Sequence, residues 1–350
     1  RRKTRKKPMP SSSSTSHFVL PFPILIADVG GTNARFSILI DANAEPKAFT
    51  TIRTRDFPTL DTAIQSHVLD QTSLMPRSAV LAVAGPTDGD TIDLTNNDWV
   101  VHPRRMIEEL GFDDVVVLND YEAQALAVVA LDEGNLQQIG GGERDPGANR
   151  VVIGPGTGLG VAGLVHAALT WIPVAGEGGH VDLGPQTDRD AEIFAHLERI
   201  EGRVSGEQVL CGSGMVNLYR AVARANGNEP RFSDPSEVSQ AAEQKADPDA
   251  VETLDLFAEY LGRVAGDLAL VFMARGGVYL TGGITLKILP FFNAERFRTA
   301  FENKAPHGEL VGAIPTYAVL HDRAPMEGLA AYARTPSRFG VSLENRHWTR

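Results

Sequence analysis

The stretch ILIADVGGTNARFSILI, residues 24–40, constrains this chain more than any other. Two apolar runs of strand length ask for burial, and a carboxylate, two glycines and two small polar residues stand between them. The pattern reads as a buried hairpin with a polar turn. Glycine lets the backbone take positive φ and come close to a bulky ligand. Consecutive backbone N–H groups in such a turn form a concavity that attracts anions. An ordinary hairpin turn uses the same residues, so one turn alone leaves both readings open. The pattern recurs, however: GPGTGLG at 154–160 also lies between apolar runs, and LTGGI at 280–284 ends a third before a helix-like segment. Three such turns favour a shared anionic ligand over three coincidental bends.

Around these turns strands and helices alternate, which predicts an α/β fold. FTTIRT (49–54) reads as a third strand, and 59–70 as a helix by the spacing of Leu60, Ile64 and Val68. AVLAVAGP (79–86) is a buried strand, and 92–101 is strand-like with a polar tip. Residues 102–111 form a short helix with Pro near its start and Gly past its end. DVVVLND (114–120) is an apolar strand that runs into a helix at 121–131. A second strand pair spans 150–166, followed by an irregular Gly-rich region at 170–210 with a helix around 190–199. The chain is mostly helical from 214 to about 275, then gives a strand and Gly turn at 276–284, a last strand at 314–322 and a last helix at 324–333. The tail after 334 is weakly patterned.

A length of 350 residues suggests two domains. The net charge of −11 argues against general affinity for nucleic acid or anionic membrane. RRKTRKK (1–7) runs against that balance, and with SSSSTS after it residues 1–20 read as a disordered basic leader. The following HFVLPFPILIA is a poor signal peptide: Pro21 and Pro23 interrupt it, and its end is already the first strand. Cys211 is the only cysteine, so neither an intramolecular disulfide nor a Cys-rich zinc site is available, as suits a cytoplasmic protein.

The familiar nucleotide signatures are missing or misplaced. No Gly-Lys pair exists, so there is no P-loop, and GLGVAG (158–163) leads into a strand where the dinucleotide fingerprint needs a helix. Asp28 ends an apolar run, and a buried carboxylate needs a partner. Either it meets Mg²⁺, directly or through water, or it caps its own turn. Asp120 stands at the carboxyl end of a parallel-type strand, where functional groups gather in open α/β sheets. It suits a base that takes a proton from a hydroxyl, although Asn119 or Asp120 would equally serve as the N-cap of the next helix. EGGH and GEQ supply Glu177, His180 and Glu207, a donor and acceptor set suited to a polyol. A zinc site on Glu177 and His180 lacks a third ligand at motif spacing.

DVGGTNARFSI, LTNNDW, LNDYEAQALA, GPGTGLGVA, GEGGHVDLGP, GEQVLCGSGMVNLYRA and LTGGI occur in this order between residues 28 and 284, and the resemblance they carry covers roughly residues 22–335. This ordered set resembles the bacterial glucokinases, of the hexokinase, actin and Hsp70-like ATPase superfamily. The resemblance implies a two-domain actin-like (ribonuclease H-like) fold with a hinged cleft. The small α/β domain would take 21–130 plus about 321–340, and the large one 131–320. It implies MgATP and glucose as substrates, a cytoplasmic homodimer, and no nucleic-acid or membrane partner. Ala27, Asp28, Val29, Gly30, Gly31 and Thr32, with Asn33, match the first phosphate motif, Asp28 orienting Mg²⁺. Gly156, Thr157 and Gly158 match the second, and Gly282 and Gly283 the adenosine side. Asp120 matches the general base, and Asn119, Glu177, His180 and Glu207, together with Asp120, the glucose ligands. The basic leader and part of the 226–250 loop depart from the pattern. The related repressor and sugar-kinase family carries a cysteine-rich zinc motif that a single cysteine does not allow.

Overall fold

A computed structural model describes residues 18–95 and 97–350; the leader through residue 17 lies outside the described residues. The first sheet opens with the expected hairpin, β1 (Ile24–Val29) and β2 (Asn33–Leu39). Two short strands, β3 (Lys47–Ala48) and β4 (Ile52–Arg53), flank β2 where one strand was expected. Helix α1 (Leu60–His67), capped by Thr59, leads to β5 (Ser78–Val83). The ribbon β6 (Ile92–Asp93) and β7 (Val100–Val101) precedes α2 (Pro103–Leu110) and β8 (Asp114–Asn119). β1 pairs antiparallel with β2 and parallel with β5, which pairs parallel with β8. β1 and β5 are buried throughout. That explains their unbroken apolar character, because a parallel sheet is covered on both faces.

Helix α3 (Asp120–Ala130) carries the chain out of the first sheet. The second sheet contains β9 (Leu136–Gly140), the hairpin β10 (Arg150–Pro155) and β11 (Leu159–Ala167), and β12 (Thr170–Gly176). Helices α4 (Asp188–Phe194), α5 (Gly212–Ala225), α6 (Pro235–Glu243) and α7 (Pro248–Phe272) lead to β13 (Val278–Leu280). Then α8 (Gly282–Ile288), α9 (Ala294–Glu302) and α10 (Gly308–Gly312) lead to β14 (Thr316–Val319). Helix α11 (Ala324–Arg334) follows, and β15 (His347–Thr349) closes the chain.

The two sheets share one plan. The first runs β3-β2-β1-β5-β8-β15 and the second β12-β11-β10-β13-β14-β9. Each is an antiparallel meander, then two parallel strands, then an antiparallel edge. α3 and α11 form the layer between them: one continuous core joins Val80 and Val116, Leu126 and Leu329, and Val152 and Tyr279. A second core covers the outer face of the first sheet, and a third packs α4 to α10 on the outer face of the second.

Three sequence readings need correction. The folded body begins before residue 20: Leu20 is fully buried, and the Phe18 ring meets His347 edge-on at 4.9 Å. Thr170–Gly176 is a strand within the region read as irregular. Its Pro173 is tolerated because β12 is an edge strand, where a missing N–H costs no ladder bond. The weakly patterned tail is also structured, since β15 pairs with β8 and extends the first sheet beyond the expected boundary near residue 340.

Candidate active site

Register places the first charged pair. Asp28 lies opposite Arg35 across the hairpin, and Arg35 Nη1 donates to Asp28 Oδ2 at 2.8 Å. Asp28 is 6% exposed, and burial raises its carboxyl pKa against the pull of the guanidinium. The turn beyond is tied down by backbone: Gly30 N donates to Asn33 O at 3.0 Å, and Thr54 Oγ1 to Gly31 O at 3.0 Å. Thr32 and Asn33 at its tip stay exposed.

The step from β8 to α3 shows which of Asn119 and Asp120 caps the helix. Asn119 is the N-cap: its Oδ1 accepts from Tyr121 N at 2.9 Å, and Glu122 Oε2 accepts from Asn119 N at 2.9 Å. This is a full capping box. Asp120 is therefore the first helical residue, and its carboxylate is not needed as the cap. Burial pushes the Asp120 carboxyl up to about 7, and the charges of Asp28 and Glu177 push the same way. The Asn119 amide is already engaged, its Nδ2 reaching Gly85 O at 3.4 Å.

Asp28, Arg35, Asp120, Thr281, Gly282 and Gly283 line one cleft of about 270 Å³. Gly282 has φ of +87°, and a Cβ there would stand 2.4 Å from Pro155 O, so only glycine fits this turn. Among the described residues Thr281 Oγ1 and Gln124 Oε1 are buried without a hydrogen-bond partner, and both residues line the cleft. Such orphan oxygens suit a polar ligand. The cleft lining does not reach Gly30–Asn33 or Gly156–Gly158.

Glu177, His180 and Glu207 meet across two loops. His180 Nε2 stands 3.7 Å from Glu177 Oε2 and 3.8 Å from Glu207 Oε1. Glu207 Oε2 accepts from Leu159 N at 2.8 Å, just past the second Gly turn. Inside that turn Gly156 N donates to Gly158 O at 2.8 Å, and Thr157 is exposed. The cradle is open, with the Glu177 side chain 90% exposed. Among the described residues no group of three or more His, Cys, Asp or Glu could hold a metal ion.

Sequence reasoning missed Arg35 and Tyr121. Arg35 carried a usable signal, since it sits as far beyond the turn as a cross-strand partner of Asp28 must. Tyr121 carried none. Its OH donates to Gly154 O at 2.7 Å, and its ring fills the space beside Gly160, where a Cβ would lie 1.8 Å from Tyr121 Cε2.

The family model named Glucokinase matches residues 25–336. A glucokinase of Chelativorans sp. (strain BNC1) is 64% identical over 336 residues, covering 96% of this chain and 98% of the relative. One of Rhizobium johnstonii is 61% identical, covering 97% and 100%. The crystal structure of a glucokinase from an Antarctic psychrotroph aligns with a TM-score of 0.80 at 34% identity, over 89% of this chain and 98% of that one. The fold is the two-domain actin-like ATPase fold, and the chain belongs to the glucokinase family.

Proposed function

We propose that this chain transfers the γ-phosphoryl group of MgATP to the 6-hydroxyl of glucose, giving glucose 6-phosphate and ADP. Asp120 is the general base. The carrying observation is the meeting in one cleft of Asp120, its carboxyl pushed up to about 7, with Asp28 and the Gly282–Gly283 turn. A base is most effective when its pKa lies near the working pH.

Phosphoryl transfer passes through a loose, highly charged transition state, so positioning and electrostatics dominate. Glu177, His180 and Glu207 hold the sugar hydroxyls, Asn119 adds the second N–H of its amide, and Asp120 takes the proton of the attacking hydroxyl. The backbone N–H groups of Gly30–Asn33 and Gly156–Gly158 face the phosphates, and Gly282 and Gly283 the adenosine side. Asp28 would hold Mg²⁺ through water, and the ion would supply the charge neutralisation that a P-loop lysine gives elsewhere. The open cradle fits a sugar-driven closure of two lobes, residues 18–130 with about 321–349 against 131–320. Closure on the sugar keeps water from competing as acceptor.

The test is ADP release from MgATP with and without glucose, on the wild type and Asp120→Asn. Glucose-dependent release that the variant loses supports the reading. Sugar-independent release makes the chain a plain ATPase, and no release with any sugar overturns the kinase reading. The family resemblance also supports a cytoplasmic homodimer, with the single Cys211 in keeping with a reducing compartment. Sedimentation velocity tests the dimer. Among the described residues no helix is long and apolar enough to cross a membrane.

A further inference from the structure

We propose that Arg346, which lies beyond the span matched by the family model, is a positioning residue for the catalytic turn. Through Glu122 it fixes the backbone from which Asn119 and Asp120 project. This rests on the reading of Asp120 as the base. Glu122 Oε2 accepts from Asn119 N at 2.9 Å and also from Arg346 Nη1 at 2.6 Å. The same Nη1 reaches Thr87 Oγ1 at 3.5 Å, in the loop after β5, whose Gly85 O accepts from Asn119 Nδ2 at 3.4 Å. Arg346 is itself anchored, since its Nε donates to Ser342 O at 2.9 Å and its backbone O accepts from Val117 N at 3.0 Å. One guanidinium thus ties the tail, the β5 loop and the start of α3 into a closed ring around the cap.

Both partners are buried, Glu122 at 6% exposure and Arg346 at 9%. A buried ion pair is poor evidence of net stabilisation, because desolvation offsets much of the attraction. Its better-supported use is to fix a single arrangement. A capping carboxylate free to turn would release Asn119 N and let the first turn of α3 shift. Misplacement of a base by about 1 Å costs on the order of 100-fold in rate.

The test compares full-length wild type with Arg346→Met, Arg346→Lys and the charge-balanced double variant Arg346→Met/Glu122→Gln. It reads kcat, the KM for glucose and for ATP, and hydrogen exchange at the amides of residues 119–122. We expect Arg346→Met to lower kcat about tenfold and raise the KM for glucose several-fold, with the KM for ATP within twofold. Exchange at 119–122 should quicken about tenfold while the later turns of α3 stay protected, and Arg346→Lys should recover part of each effect. If Arg346→Met does not fold, the double variant, which buries no lone charge, carries the same expectations. Unchanged exchange at 119–122, or a lowered Tm with kcat and both KM values intact below it, overturns the proposal. A wild-type chain without glucose-dependent turnover overturns the kinase reading instead, and the exchange measurement still decides whether the clamp exists.

Discussion

The hairpins β1–β2 and β10–β11 occupy equivalent places in two sheets of one plan, yet differ at the same rung. One pair in from the turn, the first has Asp28 opposite Arg35 and the second has Gly154 opposite Gly160. The first rung bears charge. The second bears no side chain at all, and the vacated space takes the ring of Tyr121, the residue after Asp120. A shared scaffold has thus been specialised twice: one copy supplies electrostatics, the other supplies room for the segment that carries Asp120, the proposed base.

The hardest way to break this comparison is to remove what the second rung positions. Asp120→Asn should lower kcat about 10²–10⁴-fold with glucose affinity nearly unchanged. The wild type should show an acid limb near pH 7 that the variant lacks, because the carboxyl must be ionised to accept a proton. Steady-state kinetics and a glucose-binding titration check this.

Refilling the glycine rung comes next. Gly160→Ala places a methyl inside the Tyr121 ring and should cost about 1–3 kcal/mol of stability and roughly tenfold in kcat/KM. Adding Tyr121→Ala relieves the clash but opens a cavity and frees Gly154 O, so the double variant should regain neither full stability nor activity, which thermal melts and kinetics check. If Gly160→Ala behaves as wild type, the rung is not a socket.

Asp120→Asn also has a smaller, opposite effect on stability. The carboxyl binds its proton more tightly in the fold, at about 7, than at its ordinary 3.8. Its contribution is full below pH 3.8 and is lost as pH rises through 7. The amide escapes that loss, so the variant should be more stable than wild type by up to about 4 kcal/mol at pH 8 and equal to it at pH 3.5. Denaturant titrations at the two pH values decide.

The mildest prediction concerns Gly283, where an added Cβ meets nothing within 4 Å. Gly283→Ala should shift stability by less than about 1 kcal/mol yet raise the KM for ATP. An unchanged KM would remove this turn from the nucleotide site.

Much of this was legible in the sequence, for physical reasons. Both hairpins and β8 were visible because strands buried on both faces are continuously apolar, and α2 because Pro103 and Gly111 punctuate it. The motif order singled out Asp28 and Asp120, which the fold brings to one cleft, and Glu177, His180 and Glu207, which it brings within 4 Å of one another. Edge strands were not legible, since β12 and β15 need no continuous apolar run. Tyr121 and Arg346 stayed hidden because their partners are a pair of glycines and a carboxylate brought near only by the fold.

The place of β15 bears on how the protein is made. The first sheet begins at residue 24, but its outer strand is supplied by residues 347–349, and His347 meets Asp114 across a separation of 233 residues. Pairings so distant in sequence slow folding. A chain emerging from the ribosome can build its second lobe while the first still lacks its edge and Arg346. The turn at Asn119 and Asp120, which Arg346 reaches through Glu122, is therefore expected to be among the last parts of the molecule to set.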